Sequence, residues 1–160
     1  VYPALKRSAY RVAYRCLWAL SFVRRPRGHG VKALLVNDGE VLLVTHTYGP
    51  REWELPGGGV RWHEEPLGAL CRELREELGV AVEAATLLSG SGGPGRFAAI
   101  GVSYFRVDVA ERAVIRDAIE IAEVAWFDPH DLPHPLGWHA TKALARHGEA
   151  IASPERRHTS

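Results

Sequence analysis

Apolar residues along the chain follow two different periods, and the changes of period mark its elements. In residues 4–24, Leu5, Ala9, Val12, Ala13, Cys16, Leu17, Leu20 and Val23 recur at helical spacing, with Arg7, Arg11 and Arg15 on a second stripe. This predicts an N-terminal amphipathic helix whose apolar face needs a partner. The run from Arg24 to Gly30 breaks it. Residues 31–36 are an apolar block of strand length, Asn37-Asp38-Gly39 supplies hairpin chemistry, and 41–46 is the returning strand. A loop over 48–54 and a flexible turn at Pro56-Gly57-Gly58-Gly59 lead to a predicted helix over 66–78, with Pro at its start and Gly79 as its stop. Further strands are predicted within 80–88, 97–109 and 123–127, a Gly-rich loop at 89–95, and a closing helix over 138–147. Strands and helices are mixed without strict alternation. That favours an α+β domain, a mixed sheet covered by helices, over a doubly wound parallel fold.

The 160 residues fit one domain, read as a leader at 1–30, a main domain at 31–150 and a polar tail at 151–160. A net charge of +1 gives no reason to expect general nucleic-acid or membrane binding. The charge is uneven, however: residues 1–32 carry +8, and the remaining 128 hold 12 basic and 19 acidic groups. The leader's wide apolar stripe is expected to pack on the domain or on a second copy in a homodimer, with a membrane surface, suggested by its basic and aromatic residues, as the weaker option. No run reaches the roughly 18–20 apolar residues of a membrane span. Cys16 and Cys71 fall on apolar helical faces and are expected to be buried thiols in a reducing, cytoplasmic setting. His46, His63, His130, His134 and His139 show no zinc-ligand spacing and are read as surface or loop residues.

Glu73, Glu76 and Glu77 stand at i, i+3 and i+4, which puts three carboxylates on one arc of the predicted helix. Leu67, Leu70, Leu74 and Leu78 take a neighbouring arc that should face the core. Like charges so close raise one another's pKa unless a cation is present. Mg²⁺ prefers oxygen ligands of this kind. Alone, the same pattern also suits a solvated acidic face.

The residues before the helix narrow the choice. Gly58, five residues, Glu64, seven residues, then Arg72-Glu73-Leu74-Arg75-Glu76-Glu77-Leu78-Gly79-Val80 resembles the complete Nudix box. Trp53-Glu54-Leu55-Pro56-Gly57-Gly58 resembles the family's lead-in. The resemblance implies an α/β/α sandwich and metal-dependent cleavage of a diphosphate bond, with Mg²⁺, or Mn²⁺ in its place. It implies Glu73, Glu76 and Glu77 as metal ligands and the Gly58 carbonyl as a further one. Glu64 and Arg72 match a pair that shapes the loop, and Gly79 completes the box. Glu120, ahead of a segment resembling the family's Trp-containing strand, is the first choice for a fourth carboxylate, and Glu123 the second. One departure stands out. Many members have Gly where this chain has His63, which lacks glycine's backbone freedom, so the loop is expected to be shaped differently.

The general base is expected among Glu76, Glu77 and Glu120. Arg51 and Arg61 are candidates to hold a distal phosphate, and Tyr48, Trp53 or Trp62 to stack on a base. The substrate class is a small phosphorylated metabolite, a nucleotide or nucleotide derivative. Nucleoside triphosphates, nucleotide sugars, ADP-ribose-like dinucleotides and dinucleoside polyphosphates all remain open. Phe97 and Pro94 stand where subfamilies differ without deciding between them. The alternative class is a catalytically silent Nudix-like domain used for nucleotide binding or regulation.

Overall fold

A computed structural model describes residues 28–90, 101–115 and 117–152. The predicted leader helix, Cys16, Pro94 and Phe97 lie outside them. The described elements are β1 (His29–Asn37), β2 (Glu40–His46), α1 (Pro66–Leu78), β3 (Thr86–Ser89), β4 (Gly101–Asp108), β5 (Ile121–Phe127) and α2 (Trp138–Ala152). The five strands form one sheet in the order β3-β4-β1-β2-β5. β1 and β4 are parallel, and the other neighbours are antiparallel.

Helices cover both faces. Val31, Ala33 and Leu35 of β1 pack with Leu70, Leu74 and Leu78 of α1 on one side. Leu34 and Val36 pack with Ala140, Ala143 and Leu144 of α2 on the other. A strand buried on both faces carries a continuous apolar run instead of an alternating one, which is why 31–36 reads as a solid block. The β1–β2 turn puts Asp38 at φ 49° and Gly39 at φ 82°. Two successive positive φ values are the geometry that Asn, Asp and Gly tolerate in a tight hairpin.

Beyond this turn β1 and β2 separate. Direct pairing is confined to Val36 with Val41 and Asn37 with Glu40. The segment from Glu54 to Val60 lies in the fork. Val31 N–H donates to the Gly58 carbonyl (2.9 Å), Ala33 N–H to Pro56 (3.0 Å), and Glu54 exchanges two backbone bonds with Val44 of β2. The Lys32 ammonium donates to the Leu55 carbonyl (2.7 Å) and to Gly57 (3.3 Å).

Several expectations shift. The strand predicted within 80–88 contracts to β3, and β5 starts two residues early, at Ile121. The strand predicted over 97–109 is described from Gly101 to Asp108. α2 continues five residues past 147. Leu67 is exposed although it was assigned to the core arc; Ala69 is buried with Leu70, Leu74 and Leu78. Leu67 sits in the first turn, where α1 has barely reached the sheet. Cys71 is partly accessible instead of buried.

Candidate active site

α1 places its chemistry by how it starts and stops. Pro66 opens the helix, where a missing N–H costs nothing, and Glu65 before it is extended and makes no side-chain cap. Gly79 ends it at φ 67°, with its N–H donating to Arg75 O at 3.1 Å. Between these limits the three glutamates meet very different surroundings. Glu77 lies on the inner edge and is only 4% exposed. Glu73 is largely buried, with 15% of its side chain accessible, and Glu76 points outward at 52%.

The glycine segment in the fork meets this inner edge. Gly57 N–H donates to Glu77 Oε2 at 3.2 Å. A Cβ on Gly58 would lie 2.5 Å from Glu73 Oε1, and one on Gly57, at φ 124°, would collide with the Val31 carbonyl. Both positions are glycine because backbone meets carboxylate and strand with no room for a side chain. The Gly58 carbonyl already accepts from Val31. Its second lone pair leaves acceptor capacity for a cation.

Arg72 is the resident cation. Its guanidinium bonds Glu64 through Nε and Nη2, both at 2.9 Å, Glu73 at 2.8 Å, Glu76 at 3.4 Å and the Gly59 carbonyl at 2.9 Å. The fork geometry of the Glu64 pair holds that carboxyl below its ordinary range and pushes the guanidinium pKa up. Glu77 has no such partner. Burial first and the neighbouring Glu73 second raise its carboxyl to about 7, against the opposing pull of Lys32 and the Gly57 N–H.

Glu120 is half-buried directly before β5, and burial raises its carboxyl. Its turn touches the end of α1, where Asp117 N–H donates to the Glu77 carbonyl (3.2 Å) and Asp117 Oδ1 accepts from Glu120 N–H (3.3 Å). Glu123 is exposed in β5 opposite Thr45. Arg61 is exposed, 3.6 Å from Glu76. Arg51 is exposed in the loop before the fork, and Tyr48 stacks on His46 at 5.3 Å.

Among the described residues, no three His, Cys, Asp or Glu side chains are gathered closely enough to hold a metal. Arg72 engages two of the three helix carboxylates instead. The donor chemistry still suits a hard divalent cation. The carboxylates are oxygen donors, and Glu77 is buried beside Glu73 without a cationic hydrogen-bond partner of its own.

Two histidines correct the surface reading. His46 ends β2 half-buried, with Nδ1 enclosed and unpartnered, and burial and Lys32 lower its pKa. His139 lies in the first turn of α2, where Nδ1 meets the Tyr104 hydroxyl at 2.8 Å. His63, His130 and His134 are exposed as expected. Sequence reasoning also passed over Lys32 and Glu54. Lys32 is half-buried in the fork, where desolvation lowers its pKa against the pull of Glu54, Glu77 and Glu73. Its visible signal was a lone cation inside the apolar run 31–36. Glu54 Oε2 accepts the backbone N–H of His139 at 3.1 Å and so caps α2.

The profile of the NUDIX domain matches residues 26–147. A MutT NUDIX hydrolase from Burkholderia pseudomallei superposes with a TM-score of 0.63 and 31% identity, over 76% of this chain and 98% of that one. The chain belongs to the Nudix family. Diphosphoinositol polyphosphate phosphohydrolase 2 of Rattus norvegicus is 49% identical over 51 residues, 32% of this chain but only 28% of that protein. The NUDIX domain of Shewanella oneidensis NrtR, solved with ADP ribose, shares the fold with a TM-score of 0.61 at 22% identity, over 79% of this chain and 90% of that one. Nudix hydrolases generally use divalent metals. Among the described residues, no helix is long and apolar enough to cross a membrane.

Proposed function

We propose that this chain hydrolyses a diphosphate bond in a small phosphorylated metabolite, a nucleoside diphosphate linked to a second moiety, with Mg²⁺ as its cofactor and the cytoplasm as its setting. The observation that carries this reading is the meeting of the Gly57-Gly58 segment with Glu73 and Glu77 at the edge of the sheet. Glu73, Glu76, Glu77 and the Gly58 carbonyl would hold the metal, with Glu120 approaching from the β5 side. Bound there, the metal supplies charge neutralisation of the diphosphate and acidification of the attacking water. Arg72 holds Glu73 and Glu76 near that position through its bonds to Glu64 and Gly59. Arg61, and more remotely Arg51, offers a guanidinium to the distal phosphate. The proton of the attacking water passes to one of Glu76, Glu77 or Glu120.

The test is turnover of a panel of diphosphate compounds by the full chain at saturating Mg²⁺ or Mn²⁺. Glu77→Gln and Glu76→Gln are expected to lose at least about 100-fold in kcat, consistent with several kcal/mol of lost charge stabilisation. Glu120→Gln is expected to be impaired and Glu123→Gln to match the parent. Full turnover in excess chelator overturns the metal role, and a crippled Glu123→Gln beside a normal Glu120→Gln overturns the choice of fourth carboxylate. Metal-independent nucleotide binding with no turnover would favour the silent-domain alternative.

A further inference from the structure

The apolar run of β1 holds one cation. Val31, Ala33 and Leu35 face α1, and Leu34 and Val36 face α2. Strand alternation puts Lys32 on the α2 side, opposite Tyr104 in the parallel pairing with β4. An ammonium on such a face is costly unless it is hydrogen-bonded. Lys32 donates to the carbonyls of Leu55 (2.7 Å) and Gly57 (3.3 Å).

Those carbonyls have a need of their own. Leu55 and Gly57 are buried where the segment changes partners in the fork. Glu54 pairs with Val44 of β2, and the Pro56 and Gly58 carbonyls accept from β1. Among the described residues, no backbone N–H reaches the carbonyl of Leu55 or Gly57. A buried carbonyl without a donor is costly, so the ammonium fills a gap that neither strand closes. Gly57 is thereby tied at both ends, its carbonyl to Lys32 and its N–H to Glu77 Oε2. At φ 124° it has a backbone freedom that these ties restrain. The next residue is Gly58, whose carbonyl is open to a cation.

We propose that Lys32 is a positioning residue for the cation site: its ammonium, astride the Leu55 and Gly57 carbonyls, fixes the glycine segment so that Gly58 faces the helix carboxylates. This rests on the metal-dependent reading above. The charges of Glu54, Glu77 and Glu73 also bear on the ammonium. As a charge alone, Lys32 would weaken the carboxylates' hold on a metal ion, since like charges repel. Position and charge therefore pull metal affinity in opposite directions, and the sign of the change separates them.

The experiment compares the full-length parent, Lys32→Met and Lys32→Arg. Amide hydrogen exchange is read in metal-free protein, Mn²⁺ affinity by calorimetric titration, and turnover on the panel of diphosphate compounds. Lys32→Met should speed exchange at Gly57 by about tenfold relative to Leu34 and Val36. It should also weaken Mn²⁺ binding by roughly tenfold or more, the usual effect of removing a group that orients a metal's ligands. Lys32→Arg, which keeps N–H donors and charge, should recover most of both. Tighter Mn²⁺ binding by Lys32→Met would make the ammonium a mere counter-charge and overturn the proposal. Unchanged Mn²⁺ affinity would overturn it too, as a purely structural role if only stability falls and as a substrate contact if KM alone rises. In the parent, a Gly57 amide exchanging as fast as those of the exposed Gly49 and Arg51 would overturn it whether or not Lys32→Met folds. If Mn²⁺ affinity and exchange respond as expected but no diphosphate is cleaved, the positioning role stands and the hydrolase reading falls. A parent that binds no Mn²⁺ overturns both.

Discussion

The two helices cover the same sheet from opposite sides, yet they are fastened by opposite means. α1 has no side-chain cap at its start and is held along its outer edge by Arg72, a cation within the helix itself, which reaches back to Glu64 and Gly59. α2 is held at its start by Glu54, a carboxylate 85 residues earlier that lies in the fork between β1 and β2. A Cβ at Gly137 would run into that same carboxylate. The difference shows where charge has been left unbalanced. On the α2 side Glu54 bonds two backbone N–H groups, those of Leu55 and His139, and is satisfied. On the α1 side Arg72 is shared among three glutamates, with Arg61 reaching Glu76 alone, and the fourth, Glu77, accepts from the Gly57 backbone N–H. The unbalanced side is the one that can accept another cation.

The contrast breaks most sharply at the two fasteners. Arg72→Met strands Glu64 and Glu73 in largely buried surroundings and is expected to cost about 3 kcal/mol. Glu54→Ala removes a helix cap and is expected to cost about 1–2 kcal/mol. Chemical denaturation of both variants checks the order, and a larger loss in Glu54→Ala would invert the comparison.

The second handle is pH, because the two sides titrate with opposite sign. Glu77's carboxyl is raised from 4.5 to about 7 by burial and Glu73. Its contribution to stability is therefore complete below pH 4.5 and is lost as pH climbs through about 7, a change of roughly 2–3 kcal/mol in metal-free protein. Burial lowers the His139 pKa below 6.5, so its contribution is present above 6.5 and is lost as pH falls. Glu77→Gln should flatten the limb between pH 4.5 and 7 and leave the His139 contribution in place. His139→Asn should do the reverse. Thermal melts in chelator across pH 4–8 decide it, and an unchanged alkaline limb in Glu77→Gln would count against the buried-carboxylate account.

The smallest effect sharpens the α1 side alone. His63 holds a left-handed backbone, φ 64°, in the box turn. His63→Gly removes that strain at the cost of a more flexible unfolded chain, for a net gain of about 0.5 kcal/mol. A rise in Tm of about 1–2 °C is expected, and a fall would mean that the edge-on Trp62 contact outweighs the strain.

The α1 side was far more legible in the sequence than the α2 side. Helix spacing puts Glu73, Glu76 and Glu77 on one arc, and the box ties them to Gly58, Glu64 and Arg72, so those residues could be named from local pattern. Two details escaped that pattern. His63, although it lacks glycine's backbone freedom, holds a positive φ of 64° in the box turn. The arc of three glutamates looked uniform, whereas depth against the sheet separates a buried Glu77 from an exposed Glu76. Lys32 and Glu54 went unread, and His46 and His139 were expected at the surface, because their roles depend on the fork and on contacts between distant segments. The Tyr104–His139 pair spans 35 positions and the Glu54–His139 cap 85. No local period encodes such partners.

The fork also bears on how the molecule assembles. The parallel pairing at the centre of the sheet joins His29 to Gly101 and runs on in register to Val36 and Asp108. A parallel pair cannot grow from a tight turn, and the intervening chain must be folded back before the first rung can form. That intervening chain contains the glycine segment and α1. The entropy of closing so long a loop is spent before any central pairing repays it, which places this sheet among slow-zipping topologies. The residues offered to a cation thus ride on the connection between the two parallel strands, so closing the central pair and bringing the carboxylates to Gly57 and Gly58 draw on the same stretch of chain.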